Sequence, residues 1–240
     1  MAHAMMLSIV IPAYNEANRI GDTLRSIRNY LSQKHLDCEV IVSDDGSADN
    51  TCLVVEAESK GLNCQILRNP RNKGKGHAVR LGIMKARGDT VLFCDADLST
   101  PIEELEKLLK ALENGVDVAI GSRALRQSDV QVHQNVFRET MGKTFNLFAR
   151  LLTFQGIRDS HCGFKCFRGE IARQLFAQSQ IDGFCFDAEI VYLAQRSGYK
   201  VQEIPVVWRN SPQSKVHILS DPCSMFWDLC RIRWIHRNDR

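Results

Sequence analysis

An α/β fold built on a mostly parallel sheet, with helices covering both faces, is what this sequence predicts. Three observations predict it. Short apolar runs alternate with segments of helical periodicity through the first half of the chain. Helix start and stop residues punctuate that alternation. With 240 residues, the chain is also long enough to bury a full core. Repeated strand–helix–strand units of this kind place their strands in parallel and their helices over the sheet.

Leu7–Pro12 is an apolar run that stops at proline and reads as a buried strand. Arg19–Leu31 carries Ile20, Leu24, Ile27 and Leu31 at helical spacing. Cys38–Ser43 is the second strand, and Asn50–Lys60 the second helix, which Gly61 ends. Cys64–Leu67, Gly76–Ala86 and Thr90–Cys94 read as strand, helix and strand. Thr100-Pro101-Ile102-Glu103 combines a capping box with proline at the first helical position. The helix it opens carries Ile102, Leu105, Leu108, Leu109 and Leu112 and stops near Gly115. Val116–Ile120 is the fifth strand. The second half is less regular. It holds an amphipathic helix over Phe137–Phe154, shorter helices over Ile171–Phe176 and Ala188–Arg196, and a late strand over Val201–Trp208. A final helix over Ser224–Ile235 is rich in aromatic and basic residues.

Composition narrows the function. Hydrophobic residues make up 44% and charged residues 25%, an ordinary globular balance. A net charge of +3 gives no support to a nucleic-acid partner. No apolar run reaches the ~18–20 residues of a membrane span, and Met1–Met6 lacks the apolar region of a secretory signal. These features predict a cytosolic chain that touches a membrane surface without crossing it. The nine cysteines include no Cys-x-x-Cys pair and read as buried, reduced thiols. His161, Cys162 and Cys166 lack the second ligand pair that a zinc site would need.

In parallel α/β sheets, ligands bind beyond the carboxyl ends of the strands. Three acidic or polar turns fall there: Pro12-Ala13-Tyr14-Asn15-Glu16, Asp44-Asp45-Gly46-Ser47 and Asp95-Ala96-Asp97. A single acidic turn caps a helix as readily as it binds a ligand. Three converging on one rim repel unless a positive group sits among them. Carboxylate oxygens in an Asp-x-Asp pair suit a hard cation such as Mg²⁺ or Mn²⁺, which can also hold substrate phosphates. Asn72-Lys73-Gly74-Lys75-Gly76-His77 is glycine-rich, basic and opens a helix, so its amides and lysines could face a phosphate. It lacks the ending of a P-loop, and the first strand is followed by no Gly-x-Gly-x-x-Gly.

In this order the Pro-Ala-Tyr-Asn-Glu, Asp-Asp-Gly-Ser, Asn-x-Gly-x-Gly and Asp-Ala-Asp-Leu segments resemble the GT-A glycosyltransferases of family 2. Gly121-Ser122-Arg123, Asp159-Ser160-His161-Cys162-Gly163-Phe164-Lys165 and Phe186-Asp187-Ala188-Glu189 are similar to one branch of that family. That branch comprises the dolichyl-phosphate mannose synthases and dolichyl-phosphate β-glucosyltransferases. The resemblance runs from about Leu7 to Trp208. Gly156-Ile157-Arg158-Asp159 and Cys162-Gly163-Phe164-Lys165 look closer to the glucosyltransferases. Ser99 stands where mannose synthases commonly carry glutamine.

The resemblance implies a single GT-A domain over 1–240, with a nucleotide-sugar and metal half over 7–121. An acceptor half would cover 122–208 and an amphipathic C-terminal segment 209–240. It implies a metal-dependent, inverting hexosyltransferase that uses Mg²⁺ or Mn²⁺ and moves a sugar, glucose favoured, from a nucleotide-sugar to a polyprenyl or dolichyl phosphate. Pro12, Tyr14, Glu16 and Asp44 would hold base and ribose, with Lys75 close to the nucleotide. Asp95 and Asp97 would handle metal and diphosphate, and Arg123 would contact phosphate groups. Arg138 and Lys143 would receive the acceptor phosphate. Asp187 would lie near the reaction centre, as a base for a hydroxyl acceptor or as an orienter of the sugar or of Lys165. Relatives often carry a terminal membrane segment, and the sequence reading expects none here. Membrane contact would then rest on two surface stretches: Phe145–Phe154, and Met225–Ile235 with its interleaved arginines. Transfer from GDP-mannose, and transfer to a saccharide or other hydroxyl acceptor, remain as alternatives. A sugar nucleotidyltransferase would carry a glycine- and arginine-rich loop where Pro12–Glu16 stands.

Overall fold

The central strands are largely continuous runs of β-branched and apolar residues, buried on both faces. In the computed structural model, which describes residues 6–132, 136–209 and 221–237, β1 spans Leu7–Ala13, β2 Cys38–Asp44, β3 Cys64–Arg68 and β4 Thr90–Cys94. Between them lie α1 (Ile20–Lys34), α2 (Thr51–Glu58) and α3 (Lys75–Lys85). Then come α4 (Leu105–Glu113), β5 (Val118–Ser122), β6 (Asp129–Val132) and α5 (Val136–Leu152). The chain continues through β7 (Phe164–Arg168), α6 (Gly169–Gln178) and α7 (Phe186–Arg196). It closes with β8 (Val201–Pro205), β9 (Val207–Arg209) and α8 (Asp221–Ile235).

Seven strands form one sheet in the order β3-β2-β1-β4-β7-β5-β8. All pairings are parallel except those of β7, which runs antiparallel to both β4 and β5. The alternation along each strand divides the core in two. Leu7, Ile9, Ile11, Val40, Val42, Leu92 and Cys94 pack under α1 and α4. Val10, Ile41, Val91, Phe93, Val118, Ile120 and Phe167 pack under α3, α6, α7 and α8. Burying both faces is what allows strands to be apolar at every position.

Three sequence expectations need correction. The Thr100–Glu103 capping box does not form. Pro101 precedes a single 3₁₀ turn over Ile102–Glu104, and buried Thr100 turns its hydroxyl toward Cys162 Sγ at 3.8 Å. The strand read as Val201–Trp208 breaks at Val206. β8 pairs with β5 up to Pro205, and β9 leaves to pair with β6. Proline has no N–H to continue a ladder, so the sheet ends there. The third is β7, which went unread because buried Lys165 interrupts its apolar pattern.

Candidate active site

The carboxyl ends of β1, β2 and β4 lie side by side, because Ala13 pairs with Asp44 and Val10 with Phe93. The turns that follow them therefore meet on one rim. Asp44 accepts the Ser47 N–H through Oδ2 at 3.2 Å, while its buried Oδ1 has no hydrogen-bond partner among the described residues. After β4, Leu98 is held in the left-handed region (φ 41°), a costly conformation for a leucine. That sharp turn puts Asp95 and Asp97 at the rim. Lys75, the first residue of α3, brings Nζ to 2.7 Å from Asp95 Oδ1. This is an ion pair that leaves Oδ1 without a well-directed hydrogen bond. Burial lowers the Lys75 pKa, but the Asp95 and Asp187 carboxylates outweigh it and hold the ammonium above its ordinary value. Arg19 lies 3.4 Å from Asp97 Oδ2 and grips Glu16 with Nε and Nη2, each at 2.6 Å. A cavity of about 340 Å³ opens beside Asp97, between Arg19, Thr23, Ser99 and Arg209.

The glycine-rich loop behaves differently from its sequence reading. The Lys73 and Gly74 amides donate to the Asp45 carboxylate at 3.0 and 2.7 Å, so they are already engaged. Asp45 also accepts Asn69 Nδ2 at 2.8 Å. Of the Asp44–Asp45 pair, then, Asp45 fastens the loop and Asp44 faces the rim.

Behind the rim lies a second set of charges. Lys165, fully buried on β7, donates to the Cys162 carbonyl at 2.7 Å and to Asp187 at the first turn of α7. Lys75 and Lys165 both approach the Phe93 ring, each 5.5 Å from its centroid. Burial pushes the Asp187 carboxyl up against the pull of Lys165 and Lys75. At the end of β5, Arg123 makes a fork to Asp159 through Nε and Nη2, both at 2.7 Å, and stacks 5.3 Å from the Trp208 ring. Burial opposes both charges. Arg123 nevertheless holds the Asp159 carboxyl down to about 2, and Asp159 raises the guanidinium in return. The fork uses one edge of the guanidinium, Nε and Nη2.

His161 stacks edge-on to Phe145, and its Nδ1 lies 2.8 Å from Ser160 Oγ. Burial, with the Lys165 ammonium, pushes its pKa down to about 3. The folded state then refuses a proton that the unfolded chain accepts near pH 6.5. Stability is full above that pH and falls on acidification toward pH 3, by up to about 1.4 kcal/mol per pH unit. His161→Gln should flatten this part of the curve in denaturant titrations at pH 7 and pH 5. An unchanged slope would place the titration elsewhere.

The structure brings together Asp44, Lys75, Asp95, Asp97, Asp187 and Arg123 around one end of the sheet, with Glu16 linked to Asp97 through Arg19. Pro12 is buried in β1, and Tyr14 stands exposed beside the rim. Arg138 and Lys143 fall within α5, but their side chains lie outside the described residues. Sequence reasoning missed Arg19, Asp45, Asp159 and Arg209 as partners of the site. Asp159 opened a motif already noted, and a buried arginine nearby implies a carboxylate to match it.

A divalent cation fits this rim only in company. Among the described residues no group of three His, Cys, Asp or Glu could hold a metal. Asp95 and Asp97 supply two hard oxygen donors, and diphosphate oxygens would have to complete the shell. The backbone has been cleared for the first of them. A Cβ on Gly163 would sit 1.9 Å from Asp95 Oδ2.

A mostly parallel sheet whose strand ends carry paired carboxylates, an interleaved lysine and a buried arginine defines the architecture of a GT-A nucleotide-sugar enzyme. The model of the family described as "Glycosyl transferase family 2" matches residues 8–176, and the chain belongs to that family. It is 34% identical to dolichyl-phosphate beta-glucosyltransferase from Dictyostelium discoideum, over 95% of this chain and 74% of the relative. To the enzyme of that name from Saccharomyces cerevisiae it is also 34% identical, over 95% and 74%. To the one from Mus musculus it is 36% identical, over 88% and 69%. Among solved structures, mannosyl-3-phosphoglycerate synthase from Rubrobacter xylanophilus superposes with a TM-score of 0.68 at 21% identity, covering 98% of this chain and 76% of that one. Glucosyl-3-phosphoglycerate synthase from Mycobacterium tuberculosis, in complex with Mn²⁺ and UDP-glucose, gives 0.67 at 19% identity, covering 94% and 79%. These likenesses establish the GT-A fold.

Proposed function

We propose that this enzyme transfers glucose from UDP-glucose to dolichyl phosphate or a related polyprenyl phosphate, with inversion at the anomeric carbon. The observation that carries the sugar and the acceptor is the 34–36% identity, over most of the chain, to relatives named dolichyl-phosphate beta-glucosyltransferase. The geometry of the rim supports the chemistry. Pro12, Tyr14, Glu16 and Asp44 bind the base and ribose. Asp95 and Asp97 would hold Mg²⁺ or Mn²⁺ together with the diphosphate oxygens, and that ion, when bound, neutralises charge on the leaving nucleoside diphosphate. Lys75 reaches the same oxygens.

A phosphate monoester is already nucleophilic near neutral pH, with a second pKa of about 6. It needs to be held in line more than it needs a base. Arg123, together with Arg138 and Lys143 of α5, receives that phosphate. The bond from Lys165 to Asp187 supports an orienting role for Asp187. That bond commits one Asp187 oxygen to the Lys165 ammonium, which favours the orienting role over that of a base for a hydroxyl acceptor.

A lipid acceptor requires the enzyme to reach a membrane. Among the described residues no helix is long and apolar enough to cross one. Helices α5 and α8 pack together, with Phe148 edge-on to Phe226 at 5.4 Å. They present Leu147, Phe148, Leu151 (69% exposed), Phe226, Trp227 (71%) and Trp234 to solvent. Exposed Arg231, Arg233 and Arg237 border this face and suit anionic headgroups. The patch is narrower than its sequence reading, since Phe154 and Ile232 belong to the core. Docking at the cytosolic face of the membrane, as a peripheral protein, follows from this reading.

Two experiments test it. Offered dolichyl phosphate and Mn²⁺ or Mg²⁺, the enzyme should form glucolipid from UDP-glucose and little or no mannolipid from GDP-mannose. The reverse preference would overturn the sugar assignment. The protein should also sediment with anionic vesicles and be released by salt, and Trp227→Ser with Trp234→Ser should weaken that binding. Absence of sedimentation at low salt would refute the docking face.

A further inference from the structure

Among the described residues, Glu189 and His236 form a fully buried contact outside the rim, both side chains 0% exposed. His236 follows the last turn of α8, and its Nε2 lies 2.7 Å from Glu189 Oε1. Arg196 of α7 bonds the His236 carbonyl, which fixes that end of α8 from a second side. Glu189 spends its carboxylate on a loop. Oε1 accepts the Gln180 N–H at 2.9 Å and Oε2 the Ile181 N–H at 3.0 Å. A carboxylate buried at such cost, with its bonds committed to two loop amides and one histidine, fixes the loop to the helix.

That loop is the bed of the donor site. A Cβ on Gly74 would meet the Asp182 carbonyl at 2.4 Å, and one on Gly76 would meet the Ile181 carbonyl at 2.4 Å. The His77 amide donates to the Asp182 carbonyl at 3.2 Å. Arg80 reaches back to the Ser179 carbonyl at 3.1 Å and to the Asp182 side chain. The first turn of α3, which carries Lys75 to Asp95, therefore rests on residues 179–182. Asp187 stands two residues before Glu189 on the same helix. One buried pair thus joins α8, whose outer face bears Trp227, Trp234 and the exposed arginines, to both lysine–aspartate pairs of the site.

We propose that Glu189 and His236 are positioning residues which couple α8 to the bed of Lys75, so that seating α8 on an anionic lipid surface raises turnover at the donor site. This rests on the docking face proposed above. Neither residue touches substrate. They act by holding residues 179–182 against the first turn of α3, and lodging α8 in the headgroup layer steadies that contact.

The test uses a short-chain, water-soluble polyprenyl phosphate, UDP-glucose and Mn²⁺, with or without phosphatidylglycerol vesicles free of acceptor. Wild-type turnover should rise roughly five-fold or more on vesicles, at the low end of coupling between distinct sites, with a fall in the KM for UDP-glucose. His236→Leu should sediment with the vesicles as wild type does yet lose the stimulation. His236→Gln, which keeps a donor toward Glu189, should regain much of it. Should His236→Leu not fold, amide exchange on the wild type decides the matter: vesicles should slow exchange of the peptide containing Gln180 and Ile181. Wild-type protein that sediments but shows neither stimulation nor slowed exchange would overturn the coupling and leave the docking face standing. Failure to sediment at all would overturn the docking face and the coupling together. Full stimulation in a folded His236→Leu variant would remove this pair from the link.

Discussion

Asp97→Ala lowers turnover by at least about 10²–10³-fold, the loss expected when a group stabilising transition-state charge is removed, while the protein stays folded. The side chain is only partly buried. Its bonds are the ion pair to Arg19 at 3.4 Å and the Ser99 amide at 3.0 Å. Losing them costs stability little, about 1 kcal/mol or less for the ion pair, so the melting temperature should shift by no more than a few degrees. Deletion also leaves Arg19 paired with Glu16, so no charge is stranded. The expected pattern is therefore a collapse of kcat with near-normal melting. Normal turnover would remove Asp97 from the chemistry and with it the proposed ion site.

Gly163→Ala is the second large effect, and it acts through one methyl group. The added Cβ would lie 1.9 Å from Asp95 Oδ2 and 2.3 Å from its Cγ, closer than any real contact. The loop cannot retreat cheaply, because the Gly163 carbonyl accepts the Asp95 N–H at 3.0 Å. The carboxylate must swing off the rim, breaking the approach of Lys75 as it goes. Turnover should fall by a factor similar to that of Asp95→Ala, and UDP-glucose affinity with it. Stability should drop by about 1–3 kcal/mol, as for overpacking elsewhere. Rates close to wild type would mean that Asp95 need not occupy its present place.

The parts of the fold legible in the sequence are those where one physical rule dominates. Strands β1 to β5 and the helices between them declared themselves by apolar runs and helical spacing. The acidic turns at the ends of β1, β2 and β4 declared themselves by position. What stayed hidden depends on partners far along the chain. β7 was invisible because Lys165 breaks its apolar run, and its burial depends on a carboxylate, Asp187, that lies 22 residues on. The Thr100–Glu103 cap misled because a local rule lost to packing against Cys162. The separate tasks of Asp44 and Asp45 could not be told apart by type or spacing. They differ only in which one meets the loop amides at 73 and 74. The Glu189–His236 pair spans 47 positions and belongs to no local pattern. Arg19 looked like the start of an exposed helix, and its role depends on Asp97, 78 positions away.

The proposed chemistry needs distant acidic turns and Lys75 to share one diphosphate through a bound ion. A crystal structure with UDP and Mn²⁺ measures this most directly. The expected result is a diphosphate against Lys75, joined to Asp95 and Asp97 through the ion, with the uracil over Pro12 and Tyr14 and near Asp44. A nucleotide bound away from these residues, or an ion coordinated by neither Asp95 nor Asp97, would contradict it.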